Sequence, residues 1–291
     1  MDTSEYLSRI GYREATEPSL ENLKAIHQQH LLAVPFGSLA IHCGEGIELV
    51  LPAVYRKVVI QRRGGFCYEL NGLFSWLLQA LGYRVQLVSG RVRNAFTQRL
   101  GPPKDHLLLL VRVGEGGGGG GHRHWLCNVG FGNSFRCPLP LEDGHLERQE
   151  NGLFHLRLAR GGEGVGGDWQ LRRYPLSSPG PTAEPDATLY AFSPEPRAWG
   201  EFRAMCRYHQ TSPSSIFACK SFCCLHLPGG LITYRGRRLI ETEFSAQGDR
   251  QATRELTDEE IPRVLKERFG IVLTNRLVPK DEDILPPEEY P

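Results

Sequence analysis

The spacing of apolar residues along the chain changes near residue 83. Before that point, apolar side chains recur every three or four residues, which predicts amphipathic helices over residues 20–34, 53–60 and 67–81. Beyond it, apolar and polar positions alternate, which is typical of strands that bury one face. The pattern therefore predicts a helical N-terminal region followed by a β-rich region.

Residues at the helix ends support the three predicted helices. Ser19 stands where an N-cap would accept a backbone hydrogen bond, and Pro35 disfavours helical geometry in the residue before it. Pro52 suits the first turn of the second helix, where a missing N–H costs nothing. Gly82 follows the third helix and is suited to end it.

The β-rich region contains short apolar runs separated by glycine-rich or polar turns. Sequential short strands of this kind favour an antiparallel barrel or sandwich. A stretch rich in proline and serine, residues 177–196, follows them and predicts an interdomain connection or a surface loop. The predicted strands cover residues 85–89, 105–113, 124–131, 153–158 and 169–174.

The C-terminal part of the chain mixes helical and strand patterns. Residues 199–208 predict a helix, and residues 231–234 and 238–240 predict strands. The Thr-Asp-Glu-Glu segment at 257–260 has the spacing of a capping box, and the helix it starts is closed by Gly270. The chain is therefore assigned to the α+β class, with predicted regions at residues 1–83, 84–195 and 196–291.

Charge and composition narrow the possible functions. The 34 basic and 33 acidic side chains give a formal net charge of +1, whereas binding to nucleic acid or a membrane surface normally needs a basic field. No apolar run is long enough to cross a bilayer, and the polar, acidic N-terminus is unlike a secretory signal. We expect a cytoplasmic protein without nucleic-acid or membrane partners, and a monomer.

The cysteine pattern gives no sign of a metal site. The chain has eight cysteines and no Cys-x-x-Cys pair, and without an export signal we expect the thiols to be reduced. Cysteine and histidine cluster at residues 122–127 and 223–226, but neither cluster has the spacing and the partner cluster of a zinc site. We therefore expect no structural metal.

One cysteine stands at the end of a basic, glycine-rich segment, residues 62–67. The predicted helix places Cys67 in its first turn, where free backbone N–H groups and the helix dipole favour a thiolate. These conditions predict a lowered pKa and a nucleophilic sulfur. The alternative is that Cys67 is a small buried hydrophobe that happens to start a helix.

A nucleophilic cysteine needs a histidine to take its proton and a third group to orient the ring. If residues 105–113 and 124–131 form a hairpin folded about the midpoint of the glycine-rich loop, His106 lies opposite Asn128. An asparagine oxygen there would orient one imidazole nitrogen and leave the other for a thiol. The sequence thus predicts a Cys67–His106–Asn128 set, which serves hydrolysis or group transfer equally well. A register slip in the hairpin would separate the pair.

Ordered motifs run along nearly the whole chain. The most specific is Arg-Gly-Gly-Phe-Cys at 63–67, followed by His-Leu-Leu-Leu at 106–109 and Val-Gly-Phe-Gly at 129–132. Together they resemble the arylamine N-acetyltransferase family, and its vertebrate branch in particular. Further matches to that family lie at residues 6–12, 33–36, 41–44, 211–217, 220–223 and 277–280.

The resemblance implies a papain-like cysteine-enzyme core in three parts, which match the three regions above. An N-terminal helical bundle would carry Cys67, a central antiparallel β-barrel would carry His106 and Asn128, and an α/β lid would follow. The change of pattern near residue 83 agrees with this division.

The reaction that the resemblance implies is ping-pong acetyl transfer with acetyl-CoA as co-substrate and no metal. Acetyl-CoA would acetylate Cys67 with His106 as base, and an arylamine, arylhydrazine or N-hydroxyarylamine would then attack the thioester. Residue-by-residue matching assigns Ser214 to a position that contacts CoA. It assigns Phe36 and Phe131 to the acceptor pocket, where aryl rings pack well against phenylalanine.

The chain departs from the family pattern at the third site residue, where the family has aspartate and this chain has Asn128. A carboxylate would favour the protonated imidazole, whereas a neutral amide only orients it, so we expect reduced but real activity. Other departures are Gly37, residues 102–105 ahead of His106, and a longer glycine-rich loop. Two alternatives stay open: a cysteine hydrolase with a similar triad, and a catalytically silent relative that binds CoA or a partner protein.

Overall fold

The computed structural model describes residues 1–94, 98–114, 122–159, 168–178, 180–181 and 188–286. Of the glycine-rich loop predicted at residues 114–121, only Gly114 falls within this part, as the last residue of a strand. The remainder of that loop lies outside the described residues.

The three helices predicted in the N-terminal part are present, and the structure adds two short helices that the pattern did not predict. Ser19 caps the second helix, its hydroxyl accepting a hydrogen bond from the Asn22 N–H at 3.1 Å, and that helix ends ahead of Pro35. The helix predicted at 53–60 begins earlier and continues as a π-helical turn at Arg56–Ile60. The helices of this part are α1 (Thr3–Arg9), α2 (Leu20–Ala33), α3 (Leu39–His42), α4 (Leu51–Tyr55) and α5 (Cys67–Ala80).

Helix α5 lies at the centre of the N-terminal part and is buried on nearly every side. One hydrophobic cluster joins Leu23 of α2, Phe74 of α5 and Leu109 of the sheet that follows. Because tightly packed side chains on both sides hold the helix, Cys67 at its start is fixed relative to that sheet.

Most strands of the described residues belong to a nearly closed antiparallel barrel, as the short sequential strands predict. Strand β1 (Phe36–Gly37) precedes the barrel and joins a second sheet. The barrel strands are β2 (Arg84–Val92), β3 (His106–Gly114), β4 (His122–Cys127), β5 (Leu139–Pro140), β6 (Leu146–Gln149), β7 (Gly152–Leu158), β8 (Trp169–Tyr174) and β9 (Thr188–Pro196), adjacent in the order β5-β4-β3-β2-β9-β8-β7-β6.

Strand β3 buries both of its faces, which explains its unbroken apolar sequence. Leu109 and Val111 belong to the cluster shared with the helices, whereas Leu108 and Leu110 belong to the cluster inside the barrel. Successive side chains of a strand point to opposite faces, so His106 shares the barrel-side face with Leu108. The strand thereby joins the helical part to the barrel core.

After the barrel, a 3₁₀ turn at Trp199–Phe202 leads into α6 (Arg203–Thr211), and α7 (Ile216–Cys219) follows. The predicted capping box is confirmed: the Thr257 N–H bonds to Glu260 at 2.9 Å, and the Glu260 N–H bonds to Thr257 Oγ1 at 3.3 Å. The other elements are β10 (Phe222–Leu227), β11 (Gly230–Arg235), β12 (Arg238–Glu243), β13 (Arg250–Glu255) and α8 (Glu260–Phe269), and among the described residues the second sheet has the order β1-β10-β11-β12-β13.

The structure corrects two of the sequence predictions. The segment 177–196, predicted as a connection or surface loop, contains β9, which pairs with β2 and β8. Tyr190 and Phe192 of β9 are buried in the barrel, and their burial outweighs the proline and serine around them. Residues 128–131, predicted as strand, lie beyond the end of β4, and residues 129–131 form bends. The sequence pattern also missed five strands: β1, β5, β6, β10 and β13.

Candidate active site

Cys67 is the first residue of α5, as predicted, and it is 2% exposed. Phe66 precedes it in extended geometry and donates its N–H to Glu69 at 3.2 Å, while Lys57 pairs with Glu69 at 2.8 Å. Gly130 approaches so closely that a Cβ at this position would lie 2.8 Å from the Cα of Cys67. The helix start is therefore held both by its own first turn and by the bend after β4.

The predicted lowering of the Cys67 pKa is wrong for the folded chain. Burial raises the pKa of the Cys67 thiol, and the negative charge of Asp105 raises it further. Hydrogen bonds from the backbone N–H groups of Leu107 and Tyr68 act in the opposite direction but do not offset burial. The free-energy cost of removing a charged sulfur from water exceeds the stabilisation that the helix start provides. The resting sulfur is therefore a neutral thiol that needs a base.

His106 and Asn128 meet, but not as directly opposed residues. The β3–β4 ladder pairs Leu109 with Cys127 and extends no further towards His106. Continuing its register would put Asn128 across from Leu108, so the predicted pairing is wrong by two residues. An even offset keeps both side chains on one face, and the Asn128 side chain still lies close enough to His106 to favour the protonated imidazole.

The side chain of Asn128 is shared among several partners. Its oxygen accepts hydrogen bonds from Asn71 Nδ2 at 3.0 Å and from the Gly130 N–H at 3.2 Å. Its amide nitrogen donates to the Tyr190 hydroxyl at 3.4 Å. Asn128 is thus firmly positioned, yet much of its accepting capacity is used away from the imidazole.

Burial sets the charge state of His106. Burial lowers the pKa of the imidazole to about 4, against the opposing effects of the Asp105 charge and the Asn128 hydrogen bond. Its Nε2 is buried and makes no aligned hydrogen bond with the residues that the structure describes. A neutral imidazole can accept a proton, so the resting site holds a neutral thiol and a neutral base.

Cys67 and His106 line one cavity of about 420 Å³, within the usual range for a small-molecule pocket. Aromatic side chains form much of its wall, including Phe36, Phe131 and Phe217. The Phe131 ring lies edge-on to the His106 imidazole, with centroids 5.2 Å apart. A wall of this kind suits a flat, aromatic ligand.

The structure brings the predicted site residues together. Ser214 lines the same cavity as Cys67, His106, Phe36 and Phe131. Asn128 does not line it, but its side chain lies close enough to His106 to raise the pKa of the imidazole. The C-terminal tail also reaches the cavity, through Ile284.

Among the cavity residues that sequence reasoning missed, Asp105 and His209 form a pair. Asp105 Oδ1 lies 3.2 Å from His209 Nε2, as an ion-pair contact without aligned hydrogen-bond geometry. His209 Nδ1 lies 2.9 Å from Ser215 Oγ. The only sequence signal was an acidic residue directly before the predicted base. Its partner on α6 is remote in sequence and becomes adjacent only in the folded chain.

All eight cysteines fall within the described residues, and each is a free thiol. The described part of the chain contains no group of three or more histidine, cysteine or acidic side chains that could hold a metal ion. None of its helices combines the length and the apolar character needed to span a bilayer.

Known proteins resemble this chain in sequence over almost its full length. A model of the N-acetyltransferase family matches residues 19–278. The chain is 36% identical to the arylamine N-acetyltransferase pineal gland isozyme NAT-3 of Gallus gallus, over 96% of the chain and 97% of the relative. It is 34% identical to arylamine N-acetyltransferase 1 of Homo sapiens, over 97% and 98%.

Solved structures show the same architecture. The arylamine N-acetyltransferase of Mycobacterium abscessus superposes with a TM-score of 0.80 at 30% identity, covering 94% of this chain and 90% of that one. The Mycobacterium marinum arylamine N-acetyltransferase in complex with CoA gives a TM-score of 0.75 at 28% identity, covering 93% of each chain. The residues matched by the family model include every described cavity residue named above except Ile284.

Proposed function

Because the chain belongs to the arylamine N-acetyltransferase family, we propose that it transfers an acetyl group from acetyl-CoA to arylamines, arylhydrazines or N-hydroxyarylamines through a thioester on Cys67. The observation that carries this proposal is that Cys67 and His106 share one cavity with a wall of phenylalanines. The mycobacterial relative solved with CoA supports a CoA thioester as the donor.

The first half-reaction starts from the neutral thiol and imidazole. His106 takes the thiol proton as the Cys67 sulfur attacks the thioester carbonyl of acetyl-CoA. The bond between the carbonyl carbon and the CoA sulfur breaks, and His106 returns the proton to the departing thiolate. The backbone N–H groups of Leu107 and Tyr68 lie near the Cys67 sulfur and favour its anionic form during the attack.

In the second half-reaction the acceptor nitrogen attacks the acetyl carbon on Cys67. His106 takes a proton from that nitrogen and returns it to the Cys67 sulfur as the thioester bond breaks. Phe36 and Phe131 hold the aryl ring, and Ser214 contacts CoA. Cys67 is almost fully buried, which limits the access of water to the thioester.

A second candidate function is that of a weakened relative which binds CoA or a partner protein without efficient transfer. The neutral Asn128 and the lowered His106 pKa favour it, because an amide gives the imidazolium less support than a carboxylate does.

Mass spectrometry of the intact protein after incubation with acetyl-CoA tests the proposal. We expect one acetyl group, mapped to Cys67, and its release as N-acetylated product when an arylamine is added. Cys67→Ser should abolish labelling, whereas Cys206→Ser, a buried cysteine of the same hydrophobic cluster, should keep it. No acetylation of Cys67 at any acetyl-CoA concentration would favour the weakened relative. Release to water that an amine does not accelerate would indicate a hydrolase.

A further inference from the structure

A carboxylate–imidazole pair lies in the cavity beside Cys67 and His106, and the mechanism above gives it no role. Asp105 is the only acidic side chain among the described residues that line this cavity. Its side chain is 13% exposed. A carboxylate so far removed from water is costly unless it is paired.

The Asp105 carboxylate is held at both oxygens. Oδ1 contacts His209 Nε2 at 3.2 Å, and Oδ2 accepts a hydrogen bond from the Val92 N–H at 3.1 Å. The Asp105 carbonyl accepts from the Tyr68 hydroxyl at 3.0 Å. Gly101 leaves room for the carboxylate, since a Cβ there would lie 2.5 Å from Oδ2. The negative charge is therefore fixed at one edge of the cavity.

His209 is not placed to act as a second base. Its Nδ1 lies against Ser215 Oγ, and its Nε2 faces the Asp105 carboxylate. Ser215 is itself buried and accepts a hydrogen bond from the Phe217 N–H at 3.3 Å. Because Nδ1 lies against a hydroxyl and Nε2 faces a carboxylate, the imidazole is better suited to hold Asp105 in place than to take a proton from a substrate.

His106, by contrast, has no carboxylate behind it. Asn128 is neutral, and its oxygen is already shared with Asn71 and Gly130. Burial lowers the pKa of His106, and the charge of Asp105 opposes that effect. The same charge disfavours the Cys67 thiolate. Its net effect on proton transfer therefore depends on whether it stabilises the His106 imidazolium more than it destabilises the thiolate.

We propose that Asp105, held by His209, is a positioning residue that supplies His106 with the negative charge which the neutral Asn128 cannot supply. The residue directly before the base then takes the part of the triad carboxylate. A fixed charge in a site with little water stabilises the imidazolium that forms when Cys67 loses its proton. The inference rests on the proposed roles of Cys67 and His106 as nucleophile and base.

The test is the rate at which iodoacetamide alkylates Cys67 as a function of pH, which requires no acetyl-CoA. Asp105→Asn keeps the size and the acceptor for the Val92 N–H but removes the charge. We expect alkylation at neutral pH to slow about tenfold, as one unit of pKa implies. The double variant Asp105→Asn/Asn128→Asp returns a carboxylate near His106, at position 128, and should recover most of the rate.

Two further variants separate charge from structure. Glu201→Gln removes a carboxylate that contacts Lys104 at 3.6 Å outside the cavity, and it should leave the rate unchanged. His209→Gln should slow alkylation less than Asp105→Asn, because the charge remains but is less well held.

Unchanged or faster alkylation in Asp105→Asn would overturn the proposal, since repulsion of the thiolate would then dominate. A loss that the double variant does not recover would also overturn it, by indicating a structural role. If alkylation depends on Asp105 as expected but no acetyl group is ever transferred, the proposed function fails while this inference stands.

Discussion

Two imidazoles face the same cavity with opposite kinds of partner. His106 of the barrel has the neutral amide of Asn128 behind it, whereas His209 of α6 lies against the carboxylate of Asp105. The imidazole proposed as the base thus has a neutral partner, whereas the imidazole with a charged partner is placed to hold that carboxylate. A single aspartate could both orient the base and supply it with a negative charge. In this chain Asn128 is assigned the orientation and Asp105 the charge.

The surroundings of the two partners explain why they can differ. Asn128 is 1% exposed and lies among neutral groups such as Asn71 and Tyr190. Asp105 lies at the cavity edge, where His209 and the Val92 N–H offset the cost of burying its charge. A buried amide can therefore set the orientation of a base while a separate carboxylate at the cavity edge sets its proton affinity.

Replacing the His106 imidazole should cause the greatest loss of acetylation rate, and replacing the His209 imidazole provides the comparison. His106→Gln should slow acetylation of Cys67 about a thousandfold, within the range that general base catalysis contributes. His209→Gln should slow it far less, because that ring holds a carboxylate and accepts no proton. Timed mass spectrometry of acetylated Cys67 measures both variants. Equal losses would remove the distinction between the two imidazoles.

The next effect is a loss of stability in acid. Burial lowers the pKa of His27, His106 and His226 to about 4, from 6.5. Below pH 6.5 the unfolded chain takes up these protons and the folded chain does not. Their stabilising contribution is therefore complete above pH 6.5 and is lost as the pH falls towards about 4. Each of the three contributes about 3 kcal/mol to that loss.

Denaturant unfolding across this pH window measures the slope of stability against pH. In His106→Gln the slope should fall by about 1.4 kcal/mol per pH unit, the value for one proton. This variant tests the charge state assigned to the base directly. If the slope of stability against pH were the same in His106→Gln and in the protein without this substitution, His106 would already be protonated in the folded state.

A smaller effect should follow from restoring a carboxylate behind the base. Asn128→Asp places its charge where Asn71 Nδ2 and the Gly130 N–H already donate, so the site can accommodate it. It should raise the His106 pKa and speed acetylation of Cys67 about tenfold at neutral pH. Asn128→Ala, which removes orientation without adding charge, should slow it. Acetylation that is unchanged in Asn128→Asp would contradict the role assigned to this position.

The smallest change is expected in the binding of the arylamine to the apolar wall of the cavity, a role that does not depend on either imidazole. Phe36 packs against Phe217 and Phe222, with ring centroids 6.0 and 5.9 Å away. Phe36→Leu should raise the KM for an arylamine about fivefold, equivalent to about 1 kcal/mol of lost packing. The rate of Cys67 acetylation by acetyl-CoA should not change. If both fall together, Phe36 serves the donor as well as the acceptor.

Local patterns in the sequence predicted the elements that depend on local interactions. The start of α5, the cap at Ser19 and the capping box at Thr257 all lie where the sequence puts them, because each is made by residues a few positions apart. Strand β9 was mistaken for a loop, since its pairing with β2 and β8 joins distant parts of the chain. Amino-acid composition alone does not indicate that a segment is buried by pairing with strands far away in the sequence.

The candidate site divides in the same way. Local patterns were enough to place Cys67 at a helix start and to put His106 and Asn128 on one face, because periodicity and parity depend on residues close in sequence. The charge states and the partner of Asp105 could be read only from the folded chain. Burial reverses the pKa shift expected for Cys67, and the meeting of β3 with α6 creates the pair with His209. Desolvation and charge act through space, so they depend on residues that the sequence places far apart.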